Sequence, residues 1–389
     1  MSTKILTAIL VLSMLFATGA SAFASEASEA VNNFAFDAGK FLMDGSAGKD
    51  FFFSPFSILS AFGMSYAGAC GQTAKEIESA LGITQDIHSS LGALTRDLNR
   101  SGYLSSANRV WLKNGLNILA NYSGVLKLYY DSQPYELDMK NHNEESRREI
   151  NGWVESKTNG KIKDLIKNLD PETRMVITNA VYFNAEWRKK FPKSLTKDEK
   201  FFTDGANFVE VPMMKQRDDF AYTEVDGVKA VMLQYKDRRL SMIVALPPKD
   251  NADFLKSLNA ETFAKLLDSM KIYDVDLWLP KFKAENRYEL KDLFEALGIR
   301  TAFTNLADFS GITRDEPLKA DEVIHQTFID VDEEKTEAAA ATAMIMLKAT
   351  AMPKTKKPFA EFHADRPFLY FIRDNETGTI LFMGYQSFK

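Results

Sequence analysis

The side chains best suited to act as nucleophiles, general bases or metal ligands are few in this chain of 389 residues. It contains one cysteine, Cys70, and four histidines, His88, His142, His325 and His363. No histidine pair has the H-E-x-x-H spacing of a zinc protease, and one cysteine cannot build a cysteine-rich zinc site. In GMSYAG, residues 63–68, the second glycine lies one position too late for the G-x-S-x-G elbow of a hydrolase. The sequence therefore predicts a protein that is not an enzyme and implies no metal and no cofactor.

One histidine still lies where its chemistry could matter. His325 belongs to EVIHQTFIDVDEE, residues 322–334, whose alternation is typical of a β-strand. Its side chain either points into the interior and finds hydrogen-bond partners there or lies at a solvent edge, and we favour the buried position. A buried imidazole bonded to hydroxyl groups would lock neighbouring strands together, and its protonation would loosen them.

The stretch EEKTEAAAATAMIMLKATAMPKTKKPF, residues 333–359, contains four consecutive alanines. Alanine is the best helix former, so propensity favours a short surface helix over residues 333–347. Read with a period of two, the same residues form a strand with one small or apolar face, which a crowded sheet could accept. That face holds Thr336, Ala338, Ala340, Thr342, Met344 and Met346, and the other begins with Glu337. The pattern alone leaves both structures open.

Helical patterns dominate the N-terminal part of the chain. Apolar residues recur at helical spacing over residues 30–43, and a second helix is predicted to start at Ser54, a suitable cap, with Pro55 in its first turn. A third is predicted over residues 73–81, opened by the capping-box pair Thr73 and Glu76. A fourth amphipathic helix is expected over residues 143–159.

From about residue 175 the pattern changes to strands. Their segments are MVITNAVYFNAEW, NFVEVPMMKQ, AVMLQYK, LSMIVALPP, YDVDLWLPKFK and PFLYFIRDNETGTILFMGY. In the last segment, residues 374–378 separate two apolar runs and predict a hairpin turn. Helices followed by strands, with no linker or repeat over residues 30–389, indicate one α+β domain with large mixed or antiparallel sheets.

Composition and the first residues bear on location and partners. An apolar run at 5–18, followed by Ala20-Ser21-Ala22, is typical of a cleavable signal over residues 1–22, and it is shorter than a membrane span. We therefore expect a secreted, extracellular or periplasmic protein without a membrane span. The net charge of −5 argues against nucleic acid as a partner. Cys70 has no disulfide partner, and we expect it to be a small buried residue.

Motifs spread over the whole of residues 30–389 carry a family resemblance. They are FSPFSI (53–58), GACGQTAKEI (68–77), NAVYFNAEW (179–187), VPMM (211–214), LPKF (279–282), ADFSGI (307–312), VIHQTFIDVDEEKTEAAAATA (323–343), FHADRPFLYFI (362–372) and LFMG (381–384). In this order they resemble the serpin family, the serine protease inhibitors. The alanine-rich segment and the two C-terminal motifs are specific to that family.

The resemblance implies a fold of three β-sheets and eight to nine helices, with an exposed reactive loop at about 333–361. In inhibitory serpins a serine protease, or in some cases a cysteine protease, attacks this loop and forms an acyl-enzyme. The N-terminal arm of the loop, here 336–348, then inserts into the largest sheet and traps the protease. The implied partner is thus a target protease in a covalent 1:1 complex with a monomeric, metastable inhibitor.

The resemblance also implies roles for particular residues. A gating cluster bridges the two strands that separate when the arm inserts. It consists of Ser54, Ser57, Asn179 and His325. The mouth residues lie where the arm first inserts. They are Trp187, Lys281 and Glu333, and an ion pair is expected between Lys281 and Glu333. The hinge comprises Glu333, Lys335, Thr336, Glu337, Ala338, Ala339, Ala340, Ala341 and Thr342.

With Thr336 fourteenth before the scissile bond, the family pattern predicts cleavage between Ala349 and Thr350. A small residue at the attacked position suits an elastase-like or subtilisin-like protease. Cleavage between Lys348 and Ala349 by a trypsin-like protease is the alternative. Beyond this bond, Lys354, Lys356 and Lys357 are expected to form a solvated spacer.

Lys335 departs from the family, which usually has glycine immediately before the hinge threonine. If the chain bends there with a positive φ, lysine would cost roughly 1 kcal/mol. Slower insertion would let the acyl-enzyme hydrolyse. A non-inhibitory serpin-fold binding protein, or a protease substrate, is therefore the alternative to an inhibitor.

Overall fold

A computed structural model of the chain describes residues 26–45, 48–99, 102–204, 206–248, 257–336 and 357–389. The predicted signal at 1–22 and the hinge positions from Glu337 to Thr342 lie outside the described residues. So does the reactive bond at Lys348, Ala349 and Thr350.

Seven helices have both bounds within the described residues, and an eighth, α1, is described over residues 26–45. They are α1 (26–45), α2 (Pro55–Tyr66), α3 (Gly71–Leu81), α4 (Ile87–Asn99), α5 (Ala120–Tyr130), α6 (Asn143–Lys157), α7 (Ala260–Asp268) and α8 (Lys291–Ala296). As predicted, Ser54 caps α2: its side chain accepts a hydrogen bond from the Ser57 amide, and Pro55 opens the first turn. Within the described ranges, no helix combines the length and the apolar character needed to cross a membrane.

The predicted start of the third helix is wrong. The helix α3 begins at Gly71, and Cys70, which is partly exposed rather than buried, is its N-cap residue. Thr73 and Glu76 form no capping box. The Thr73 hydroxyl accepts a hydrogen bond from the Asp308 amide at 2.9 Å, and the Glu76 carboxylate accepts one from the Thr301 amide at 2.8 Å. Both side chains that the local pattern assigned to the cap therefore bind a segment that is distant in the sequence.

Sixteen strands complete the described structure. They are β1 (Phe51–Phe53), β2 (Leu104–Lys113), β3 (Tyr135–Leu137), β4 (Met175–Phe183), β5 (Ala185–Glu186), β6 (Lys197–Phe202), β7 (Phe208–Val225), β8 (Val228–Gln234), β9 (Leu240–Leu246), β10 (Lys271–Pro280), β11 (Phe282–Glu289), β12 (Glu322–Val331), β13 (Lys335–Thr336), β14 (Phe359–His363), β15 (Phe368–Asp374) and β16 (Ile380–Gln386). Short 3-10 helices cover Lys193–Leu195 and Thr301–Phe303.

The expected order of helices first and strands later is only roughly right. Strands β1, β2 and β3 lie in the half expected to be helical, and α7 and α8 lie in the half expected to be strands. The strand β2 exists because it pairs along its length with β4, which is far away in the sequence. The hairpin prediction is confirmed: β15 pairs with β16, and the Gly378 amide donates to the Asp374 carbonyl at 2.9 Å.

The strands form two hydrogen-bonded networks. The nine-stranded network has the order β1-β16-β15-β9-β8-β7-β10-β14, with β6 paired to β7. Its 18-residue strand β7 pairs with β6 near one end and with β8 near the other, so it joins two of the three expected sheets into one ladder.

The second network, which we call the central sheet, has the order β3-β2-β4-β12-β13-β5, with β11 on β12. Its middle strands β4 and β12 run parallel and place Asn179 opposite His325. One face packs on the main core, and the other on a smaller core that includes Ile150 and Val154 of α6. Burial on both faces explains why every residue of β4 is buried.

Candidate functional site

The four residues of the gating cluster meet in one buried hydrogen-bond network at the centre of the central sheet. Ser54 and Ser57 come from the start of α2, Asn179 from β4 and His325 from β12, and each is at most 1% exposed. The Ser54 amide donates to His325 Nε2 at 3.0 Å. The Asn179 side-chain amide donates to the Ser57 carbonyl at 2.9 Å, and its oxygen bonds His325 Nδ1. The network ties one helix to both central strands.

Two further groups in this network were missed by sequence reasoning. The Asn108 side-chain oxygen accepts from Asn179 Nδ2 at 2.6 Å, and the Ser54 hydroxyl donates to the Leu381 carbonyl at 2.7 Å. Asn108 lies on β2 directly opposite Asn179, so only the strand pairing reveals it.

The hydrogen bonds define the protonation state of His325. Because Nε2 accepts from the Ser54 amide, its second nitrogen must carry the proton and donate to Asn179. Burial lowers the pKa of His325 to about 3, so the imidazole is neutral at physiological pH. A second proton would face the Ser54 N–H and break that bond.

The mouth residues also come together, at one end of the central sheet. Lys281 Nζ lies 2.9 Å from Glu333 Oε2, which forms the expected ion pair. The Thr196 hydroxyl, which sequence reasoning missed, donates to the other Glu333 oxygen at 2.9 Å. The Trp187 indole N–H donates to the Asp332 carbonyl at 2.8 Å. These bonds fix the chain at the start of the hinge.

Glu333 is only 6% exposed, so its pair with Lys281 is not an ordinary surface bridge. Burial alone would raise the pKa of Glu333, but the hydrogen bonds from Lys281 and Thr196 outweigh burial and hold this pKa below its usual value. The carboxylate is therefore charged at neutral pH and depends on its cation.

The first hinge residues already lie in the sheet. Thr336 is fully buried between two strands, paired with Val331 of β12 on one side and Ala185 of β5 on the other. Its hydroxyl hydrogen-bonds the Tyr235 hydroxyl at 3.0 Å, and the Tyr235 ring stacks on Trp187 with centroids 4.7 Å apart. For these residues the helical interpretation of the alanine-rich stretch is wrong and the strand interpretation is right.

The expectation of strain at Lys335 does not hold in this conformation. Lys335 lies in the extended strand β13, where it pairs with Glu186 of β5. The described residues other than glycine with a positive φ are Asp131, Asn159, Asp164, Asp226, Arg238 and Phe388, and Lys335 is not one of them. An extended residue gains nothing from glycine, so lysine costs no backbone strain here.

The other end of the reactive loop is also fixed. Lys357 Nζ pairs with Asp219 Oδ2 at 2.5 Å, and the Asp274 amide donates to the Pro358 carbonyl at 2.9 Å, just before β14 begins. Lys357 is therefore an anchor rather than part of a solvated spacer. Lys354 and Lys356 lie outside the described residues.

The sequence of this chain also matches a known protein family. Residues 29–387 match the family model described as Serpin (serine protease inhibitor). The chain belongs to the serpin family. Serpins are mostly protease inhibitors rather than enzymes, and some are non-inhibitory binding proteins.

Relatives of this serpin occur in archaea and animals. It is 40% identical over 363 residues to an uncharacterised serpin-like protein of Thermococcus kodakarensis, covering 91% of this chain and 84% of that one. It is 37% identical over 364 residues to Serpin B3 of Homo sapiens, covering 86% and 92%. It is 35% identical over 375 residues to leukocyte elastase inhibitor of Equus caballus, covering 92% and 98%.

Solved structures confirm the expected α+β serpin fold. Human thyroxine-binding globulin superposes with a TM-score of 0.84 at 28% identity, covering 94% of this serpin and 99% of that chain. Maspin superposes with a TM-score of 0.85 at 26% identity, with the same coverage. The thyroxine-binding globulin structure is a complex with thyroxine.

The neutral state of His325 predicts a pH dependence of stability. Between pH 6.5, the ordinary histidine pKa, and about pH 3, His325 is protonated in the unfolded chain but neutral in the folded serpin. The free energy of unfolding should therefore be maintained above about pH 6.5 and fall by about 2 kcal/mol at pH 5 on account of His325. Urea unfolding midpoints from pH 5 to 7.5 measure this slope.

His88 supplies the matched comparison. It is buried on α4, where burial lowers its pKa to about 4, and it hydrogen-bonds Tyr130 far from the central strands. Both His88→Gln and His325→Gln should reduce the loss of stability between pH 7.5 and pH 5, and the double variant should reduce it further. A wild-type slope in His325→Gln would contradict the assignment.

The buried charge of Glu333 predicts unequal effects of its two partners. Lys281→Met leaves the carboxylate without a cation and should lower the free energy of unfolding by about 1–2 kcal/mol, because Lys281 is partly exposed and its charge partly screened. Glu333→Gln should cost less, because it removes the charge and keeps an acceptor for Thr196. The exposed Lys283, paired with Asp330, is the control: Lys283→Met should cost under about 0.5 kcal/mol. Equal losses in the two lysine variants would refute the role of burial.

Proposed function

We propose that this serpin is a suicide-substrate inhibitor of serine endopeptidases, with cysteine endopeptidases as a second class of target. The observation that carries the proposal is the position of Thr336. It is buried between β5 and β12, so the first residue of the arm already occupies the opening through which the rest must follow. The inhibitor needs no catalytic turnover of its own, because the protease attacks the loop and insertion of the loop then traps the acyl-enzyme.

The observed pairing sets the register of the inserted arm. Because β13 runs antiparallel to β12 with Thr336 opposite Val331, each later arm residue lies opposite the preceding residue of β12. Thr342 then arrives opposite His325, and Ile345 opposite Glu322, where β12 begins. The slot ends four residues before Ala349. The proposed scissile bond therefore remains outside the sheet.

The same register selects the inward face of the arm. Thr336 points into the core, so Ala338, Ala340, Thr342 and Met344 should follow it inward. Small side chains lead and a large apolar one follows, with burial of a methionine contributing about 1.5–3 kcal/mol. For the arm to enter, β4 and β12 must separate, and the hydrogen bond between Asn179 and His325 must break. That barrier keeps the closed sheet kinetically stable against insertion of the arm.

Insertion can be tested with matched arm variants. Wild type should form a complex that survives denaturing gels with an elastase or a subtilisin cutting at Ala349–Thr350, or with a trypsin cutting at Lys348–Ala349. Ala340→Arg buries a charge on insertion and should be cleaved without forming a complex. Ala339→Arg, whose side chain faces outward opposite Phe328, should still form the complex. The mass of the released C-terminal peptide identifies the bond.

The alternatives give different results. Clean loop cleavage of the wild type by all three proteases, with no complex, would leave a protease substrate or a non-inhibitory binding protein. A melting temperature unchanged by cleavage would contradict insertion itself. Equal complex formation by Ala339→Arg and Ala340→Arg would contradict the proposed register.

We also propose that the protein is exported, on the basis of the signal-like residues 1–22. Expression of the full chain in a bacterial host should yield a periplasmic or secreted protein with an N-terminus after Ala22. Replacing Leu10 and Leu12 of the apolar run by arginine should retain the precursor in the cytoplasm. Intact mass of the exported protein measures the cleavage, and an uncleaved N-terminus in the exported fraction would contradict it.

A further inference from the structure

A cavity of about 270 Å³ lies beside the mouth of the central sheet, between the two fixed ends of the reactive loop. Its apolar walls come from three adjacent strands: Phe220 and Ala221 of β7, Met232 and Leu233 of β8, and Ile272 of β10, and the rest of its lining is polar or charged. Ile272 is 51% exposed, although it is a large aliphatic residue. The volume lies just below the range typical of drug-sized ligands, so the cavity suits a small organic molecule.

The rim of the cavity has an excess positive charge. Lys189 is neutralised, since its Nζ lies 2.6 Å from Asp218 Oδ1, and Asp219 is used by Lys357. Arg188 donates instead to a neutral group, the Gln234 side-chain oxygen at 2.6 Å, and no ion pair is found for it within the described part of the chain. A ligand with an anionic group would supply the missing negative charge, and a guanidinium binds carboxylates and sulfonates well.

The residues of this cavity are directly connected to both ends of the loop. On one side, the Arg188 amide donates to the Gln234 carbonyl at 3.0 Å, and the next residue, Tyr235, holds Thr336 through its hydroxyl. On the other side, Asp219 holds Lys357. A molecule bound against Arg188, Gln234 and Asp219 would therefore contact the neighbours of the hinge and of the C-terminal anchor together.

We propose that this cavity is a binding site for a small amphipathic organic anion, such as an aromatic carboxylate or sulfonate. The apolar walls bury the body of the ligand, and Arg188 pairs with its charge.

Binding is tested with a fluorescent aromatic sulfonate, anilinonaphthalene sulfonate, and its uncharged analogue N-phenylnaphthylamine as comparison. Arg188→Gln should weaken sulfonate binding about tenfold, the loss of one charged hydrogen bond, and leave the uncharged analogue unaffected. Arg217→Gln is the matched control: Arg217 also lies near the loop but pairs with Asp274 outside the cavity, so affinity should stay within about twofold. Ala221→Leu, which fills the cavity, should abolish binding of both probes.

Two results would overturn the site: equal affinities in wild type and Arg188→Gln, or undiminished binding to Ala221→Leu. Unchanged urea midpoints confirm that the variants are folded. If Ala221→Leu does not fold, Met232→Phe narrows the same cavity from the neighbouring strand and gives the same test.

Discussion

Where β4 and β12 run side by side, His325 and Asn179 face each other, and the Ser54 amide bonds the imidazole from α2. This contact joins the two central strands to each other and to α2. Both faces of the sheet are buried, so no water replaces a hydrogen bond broken between the two strands. The histidine can be completely buried because it is neutral and both of its nitrogens are used.

Different contacts hold the two ends of the proposed reactive loop. At the mouth, β13 lies between β5 and β12 because β4 has ended at Phe183 and leaves space there. Glu333 fixes the preceding turn through Lys281 and Thr196, and Tyr235 receives Thr336. At the other end, Lys357 is fixed to Asp219. The described residues at both ends of the proposed loop are thus held in place, and Thr336, the first residue of its N-terminal arm, already lies in the sheet.

Several departures from simple local rules share one cause. Thr73 and Glu76 have the spacing of a capping box, yet a remote segment takes up both. Lys335 replaces a family glycine, yet its backbone is extended because β5 pairs with it. Lys357 belongs to a lysine-rich run that looks solvated, yet Asp219 lies within reach. In each case a partner distant in the sequence decided the conformation of the residue.

The sequence alone determined the family, the α+β class, the Ser54 cap and the C-terminal hairpin, and it predicted which residues form the gating cluster and the mouth. These follow from local patterns or from motifs, which can be recognised in the sequence without knowledge of the fold. The tertiary structure decided the pairing of β2 with β4 that brings Asn108 to Asn179, the burial of Glu333 and the extended geometry at Lys335. Such features depend on which distant strands lie side by side, and local propensity carries no information about that.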